Sequence, residues 1–161
     1  MVSLQELKKI VILSHLTDEM VEKLRPLVNV FHFEEADTIF KEGDQAEYLY
    51  MLKQGKVLLV QRLSDTITVS LGAIQPRYSF GWSAMLDVDL YRSNALCAEP
   101  CEVYAIRGEK LKAMLDNDPV MGYRLTQRLL RVIKNRYDRR TEQFVKIITS
   151  HPDLKDLFDE E

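Results

Sequence analysis

The residues best suited to chemistry in this chain lie between Phe80 and Ala95. The run Phe80-Gly81-Trp82-Ser83-Ala84-Met85-Leu86 is followed shortly by Tyr91-Arg92-Ser93-Asn94-Ala95. A guanidinium set behind a short helix can hold an anion, because converging backbone N–H groups and a planar multi-donor side chain both form charge-assisted hydrogen bonds. Gly81 allows close backbone approach where a side chain would obstruct it. Ser83 is a candidate cap for the short helix, and Ser93 sets a hydroxyl beside the arginine. A second reading stays open: Arg92 pairs with Asp87 or Asp89, both close in sequence, and the segment is a packed corner.

Other chemistries find little support. The histidines His15, His32 and His151 are scattered, and Cys97 and Cys101 lack a second cysteine pair with which to hold a metal. They read as ordinary thiols. There is no defensible Ser-His-acid set, no phosphate-binding P-loop and no dinucleotide fingerprint. Glu34, Glu35 and Asp37 read as loop surface. A stand-alone metal enzyme on a small β-barrel is the weakest alternative, since His32 is the one histidine in the strand region. The chain is therefore expected to be non-enzymatic. Its net charge of −3 gives no general attraction to nucleic acid or anionic lipid. No stretch reaches the roughly 18 apolar residues of a membrane span, and the N-terminus does not read as a signal peptide. A cytoplasmic location is expected.

The elements that would position these residues follow from periodicity. Residues 3–14 read as a helix, and a second starts at Thr17 or Asp18 with Pro26 weakening its far end. From Val30 the pattern becomes short runs rich in Val, Ile, Leu, Tyr and Phe, divided by turn signals at Gly43-Asp44, Gln54-Gly55, Ser64-Asp65, Gly72 and Pro76. Such punctuation points to a sandwich or barrel. Helix returns after Gly108, stops near Pro119, and resumes there with proline at its first position. This last helix should run to about Ile148, with a kink or junction at Thr141. Leu125, Leu129, Val132, Ile133, Tyr137, Phe144 and Ile148 lie largely on one side of it, a spacing that suits packing on a barrel and against a second copy. The expected organisation is residues 1–118 as N-terminal helices and β-roll, 119–149 as a long C-terminal helix and 150–161 as an acidic tail.

Helices, a β-roll and a long helix, with Phe80-Gly81 and Arg92-Ser93 in the last third of the roll, resemble the cyclic-nucleotide-binding domain of the catabolite-activator (CRP/FNR-like) type. The resemblance runs from about Leu16 to about Arg140. It implies a mainly β fold with flanking helices, a jelly roll whose hairpin turns use Gly43 and Gly55, and a long dimerisation helix. It also implies that the segment from Phe80-Gly81-Trp82 to Arg92-Ser93-Asn94 is a phosphate-binding cassette. In the family a glutamate follows Phe-Gly and binds the ribose 2′-hydroxyl, while the arginine and following hydroxyl bind the cyclic phosphate. Here Trp82 takes the glutamate's place, at the family's distance from Arg92. Trp82 either stacks on a base or ribose face or folds in and fills the space of the ribose.

By chain position, the family's base contacts from the long helix fall near Arg136 and Tyr137. Tyr137 could stack or donate its hydroxyl, or belong to a dimer seam; Arg136 could equally be a solvated or ion-paired residue. The helix also carries Arg124, Arg128, Arg131, Lys134, Arg139 and Arg140, read as a solvated face that pairs with acidic segments. The family's transcription regulators carry a winged helix-turn-helix after the long helix. This sequence ends before it, so no direct DNA binding is expected. The expected function is sensing of a small anionic ligand at Gly81, Trp82, Ser83, Arg92, Ser93, Arg136 and Tyr137. The candidates are a cyclic nucleotide or another phosphate-bearing small molecule, with no firm cofactor. The alternative is a domain with a closed pocket that serves as a protein-interaction or dimerisation module. A homodimer and a protein partner are the expected associations, and no membrane.

Overall fold

The computed structural model describes residues 2–87 and 89–151. The chain forms two compact units, Met1–Leu125 and Thr126–Glu161. The expected acidic tail lies almost wholly outside the described residues.

The first unit begins with helix α1 (Leu4–Lys8), opened by a capping box in which Ser3 and Glu6 satisfy each other's backbone N–H groups. The helix expected over residues 3–14 is cut short. Beyond α1 the chain advances in tight turns, with Ile10 N–H bonded to Leu7 O, Leu13 N–H to Ile10 O and Leu16 N–H to Leu13 O, while Val11 N–H is drawn to Arg77 O at 2.9 Å. This three-residue step buries Leu7, Ile10, Leu13 and Leu16. It shares the i, i+3 spacing of a helix, which is why the sequence pattern reads as one. Thr17 caps α2 (Asp18–Leu24), and Pro26 falls in the 3-10 turn Arg25–Leu27 that ends it.

Eight strands lie among the described residues: β1 (Asn29–Phe33), β2 (Thr38–Phe40), β3 (Tyr48–Gln54), β4 (Val57–Arg62), β5 (Thr68–Ile74), β6 (Ser79–Phe80), β7 (Asn94–Cys97) and β8 (Cys101–Arg107). They pair antiparallel in two sheets, ordered β1-β8-β3-β6 and β2-β7-β4-β5. Gly43 and Gly55 take the positive φ that their turns need. The inner core joins Phe40, Tyr50, Leu52, Val57, Ile74, Phe80, Tyr91, Ala95 and Val103. Leu49 and Met51 point to the other face of β3 and are equally buried, so β3 is covered on both faces. After β8 comes α3 (Gly108–Asn117), and then α4 (Pro119–Ser150), which starts on the expected proline. Asp118 caps α4 through a bond from Met121 N–H at 3.1 Å. Helix continues through Thr141, whose hydroxyl bonds back to Tyr137 O at 3.1 Å. Among the described residues no helix is long and apolar enough to cross a membrane.

Cys97 and Cys101, on β7 and β8, are free and buried. Burial, with Cys101 beside it, pushes the Cys97 thiol up to about 12, so it stays protonated at neutral pH. Native protein should therefore leave both thiols unreacted with a disulfide reagent at pH 7, and unfolding in denaturant should release 2 equivalents. Fast labelling of the native protein would contradict this burial.

Candidate ligand-binding site

The segment from Gly81 to Ser93 leaves the roll at the end of β6 and rejoins it at β7. Both of its ends stand on one aromatic cluster. Phe80 stacks on Tyr50, with ring centroids 5.3 Å apart, and Tyr91 stacks on Phe40 at 3.8 Å. Phe40 and Tyr50 are themselves stacked at 5.6 Å, which closes the group. The Tyr91 hydroxyl accepts from Tyr48 N–H at 3.0 Å and donates to Tyr48 O at 2.8 Å, pinning the returning chain to β3. Its partner is 43 residues away, so sequence reading around Arg92 carried no sign of it.

Gly81 has φ +75° and precedes the 3-10 turn Trp82–Met85. A Cβ there would lie 3.0 Å from both Tyr48 O and the Tyr50 ring, so the left-handed turn and the close approach each require glycine. The turn is backed by the start of α3. At Gly108 a Cβ would come within 1.9 Å of Ala84 O, and Lys112 donates to Leu86 O at 3.2 Å and to Asp87 at 2.8 Å. The short helix and α3 are thus interlocked.

Arg92 is 79% exposed, and its Nη2 donates to Asp89 Oδ1 at 3.2 Å. Of the two carboxylates considered from sequence, Asp89 is therefore the partner and Asp87 belongs to Lys112. Ser83 does not cap the turn: the N-cap is Gly81 and no side chain caps it. The Leu90 N–H, at 2.8 Å, is the main cause holding the Asp89 carboxyl below the usual carboxylate range, followed by Ser83, with Arg92 adding to both. Trp82 is half-buried, and its indole N–H donates to the buried Ser79 hydroxyl at 3.4 Å. Ser93 is half-buried beside Arg92. Gly81, Trp82, Ser83, Arg92 and Ser93 thus share one segment. A cavity of about 210 Å³ opens beside it, lined by Ala84, Leu86 and Asp89 with Glu47, Arg107 and Lys112. Arg136 is half-buried and Tyr137 is exposed on the part of α4 that forms the second unit. Among the described residues no three His, Cys, Asp or Glu side chains stand close enough to hold a metal ion.

Residues 30–118 match the family model of the cyclic nucleotide-binding domain. The chain belongs to that family. No curated protein matches it. Among solved structures, a protein named for cyclic nucleotide binding from Geobacter metallireducens is 27% identical, with a TM-score of 0.74, and the match covers 85% of this chain and 99% of that one. A cyclic nucleotide-binding domain from Methylobacillus flagellatus has the same fold at 16% identity and a TM-score of 0.81, covering 92% of this chain and 88% of that one. The sensor domain of the transcriptional regulator DNR from Pseudomonas aeruginosa is 18% identical, with a TM-score of 0.69 over 83% of this chain and 90% of that one. The β-roll with its long C-terminal helix is the expected CRP/FNR-like architecture. Within this cyclic nucleotide-binding domain, the Gly81–Ser93 segment occupies the stretch that the resemblance marks as the cassette.

The interlock with α3 has a direct test. Gly108→Ala forces a methyl group into the Ala84 carbonyl, and overpacking of this kind costs about 1–3 kcal/mol. The variant should melt several degrees lower, with changed tryptophan fluorescence from Trp82, the chain's 1 tryptophan. An unchanged melt and spectrum would show that α3 does not brace the cassette.

Proposed function

We propose that this protein is a non-enzymatic regulatory domain that senses a small anionic ligand, with a nucleotide as the leading candidate, at Gly81, Ser83, Arg92 and Ser93. In this reading ligand occupancy is signalled through the long helix to a second copy of the chain. The supporting observation is Arg92. It is a mostly exposed guanidinium with one acidic partner, fixed beside a glycine-led turn whose backbone is braced by α3. Binding there changes the short turn, and any movement of Ala84 must be answered by Gly108 at the head of α3. A signal requires that the ligand bind two states of this arrangement with different affinity. Trp82 supplies an aromatic face for a base.

The association with a second copy rests on α4. Leu130, Tyr137, Phe144 and Ile147 are 57%, 68%, 63% and 67% exposed. The first three repeat every seven residues, with Ile147 three further on and Ile133 three after Leu130, the spacing of a coiled-coil seam. Leu129, which the sequence pattern assigns to that side, is already buried, so Leu130 takes its place in the seam.

One observation favours the alternative reading, a closed dimerisation module: Arg92 and Trp82 are both engaged locally, by Asp89 and by Ser79 of β6.

Thermal melting against cyclic mononucleotides, cyclic dinucleotides, linear nucleotides and phosphate separates the two. A ligand at a hundred times its Kd should stabilise the protein by about 2.7 kcal/mol, and Arg92→Ala should remove the shift while leaving the ligand-free melt unchanged. A flat panel supports the closed module. For the seam, Leu130→Glu with Phe144→Glu should give the mass of one chain by light scattering, where the unaltered protein gives two. An unaltered protein that is already monomeric contradicts the seam.

A further inference from the structure

The carboxylate of Asp89 sits where an anion bound by this segment would make its contacts. It accepts from Arg92 Nη2 at 3.2 Å and from Leu90 N–H at 2.8 Å. These are a guanidinium and a backbone amide, donor types that recognise a phosphate oxygen. The carboxylate is only 20% exposed, whereas the arginine it holds is 79% exposed. The neighbouring acid is not interchangeable with it, because Asp87 is turned to Lys112 at 2.8 Å.

We propose that Asp89 is the specificity-determining residue of the cassette: a built-in counter-anion that occupies Arg92 until a ligand anion displaces it. The inference rests on the anion-sensing reading above. Its physical basis is charge. With Asp89 in place the donor set is neutralised, and an incoming phosphate meets a like charge within a few ångströms. The exposed ion pair is itself weak, so displacement is feasible, but it must be repeated by every ligand that binds. Weakly held single anions are thereby excluded, and only a ligand with enough further contacts, such as a base or sugar against Trp82, overcomes the competition.

The test is calorimetric titration of the full chain with inorganic phosphate, cyclic AMP and cyclic GMP, using the unaltered protein, Asp89→Asn, Arg92→Ala and the double variant. Asparagine keeps an oxygen for the Leu90 N–H and removes the charge, so the fold should persist, which the melting temperature checks. Two charges about 4 Å apart interact appreciably even near a protein surface, and Asp89→Asn should bind at least one of the three probes about tenfold more tightly. The gain should vanish in the double variant. If a probe binds the unaltered protein and Asp89→Asn binds it no better, the counter-anion is overturned and the anion-sensing reading stands. If Asp89→Asn binds more weakly, Asp89 positions the arginine for its ligand, and the proposal falls. If no variant binds any probe, both the proposal and the anion-sensing reading fall.

Discussion

The stacked group of Phe40, Tyr50, Phe80 and Tyr91 is the interaction on which the rest depends. Each ring comes from a different part of the chain, and two of them sit immediately before Gly81 and Arg92. Aromatic pairs at such separations contribute about 0.5–1.5 kcal/mol each beyond the area they bury. The group therefore acts both as core and as anchor: it fixes the two ends of an irregular segment whose middle is left to local hydrogen bonds. The Tyr91 hydroxyl reinforces this, since its bonds to Tyr48 satisfy both backbone groups of one residue on β3. A cassette held at both ends by a rigid cluster can change at its centre without loss of the roll.

That centre is electrostatically self-contained. Arg92 faces Asp89, and Lys112 faces Asp87. Exposed pairs of this kind contribute little to stability. In the proposed reading their consequence is selectivity, because each of these cations already faces an anion.

Much of the fold was legible in the sequence because local signals agreed with the tertiary structure. Thr17 caps α2, Pro119 opens α4, and the turn residues at Gly43-Asp44, Gln54-Gly55, Ser64-Asp65 and Pro76 separate strands, whereas Gly72 lies inside β5, where its register with β4 shifts. The N-terminal segment was misread for a physical reason: successive three-residue turns place apolar side chains at helical spacing, and only the bond from Val11 to Arg77, across the fold, distinguishes the two. The cassette's residue types were visible, but its pairing was not. Asp87 and Asp89 are equally plausible partners for Arg92 on the chain, and the choice is made by Lys112, which α3 brings in from 25 residues away. Ser83 shows the same limit. Its position suggests a cap, yet Gly81 takes that place and no side chain caps the turn.

The central claim is that Arg92 and the glycine-led turn form the ligand site of this cyclic nucleotide-binding domain. The most direct measurement is a two-dimensional NMR titration of the unaltered, isotope-labelled protein with cyclic AMP and with phosphate at millimolar concentration, following backbone amides and the Arg92 Nε–H. The account predicts shifts centred on Gly81–Ser83 and on Leu90–Ser93, including the arginine side chain. Shifts confined to other regions, or none at the Arg92 side chain, would contradict it.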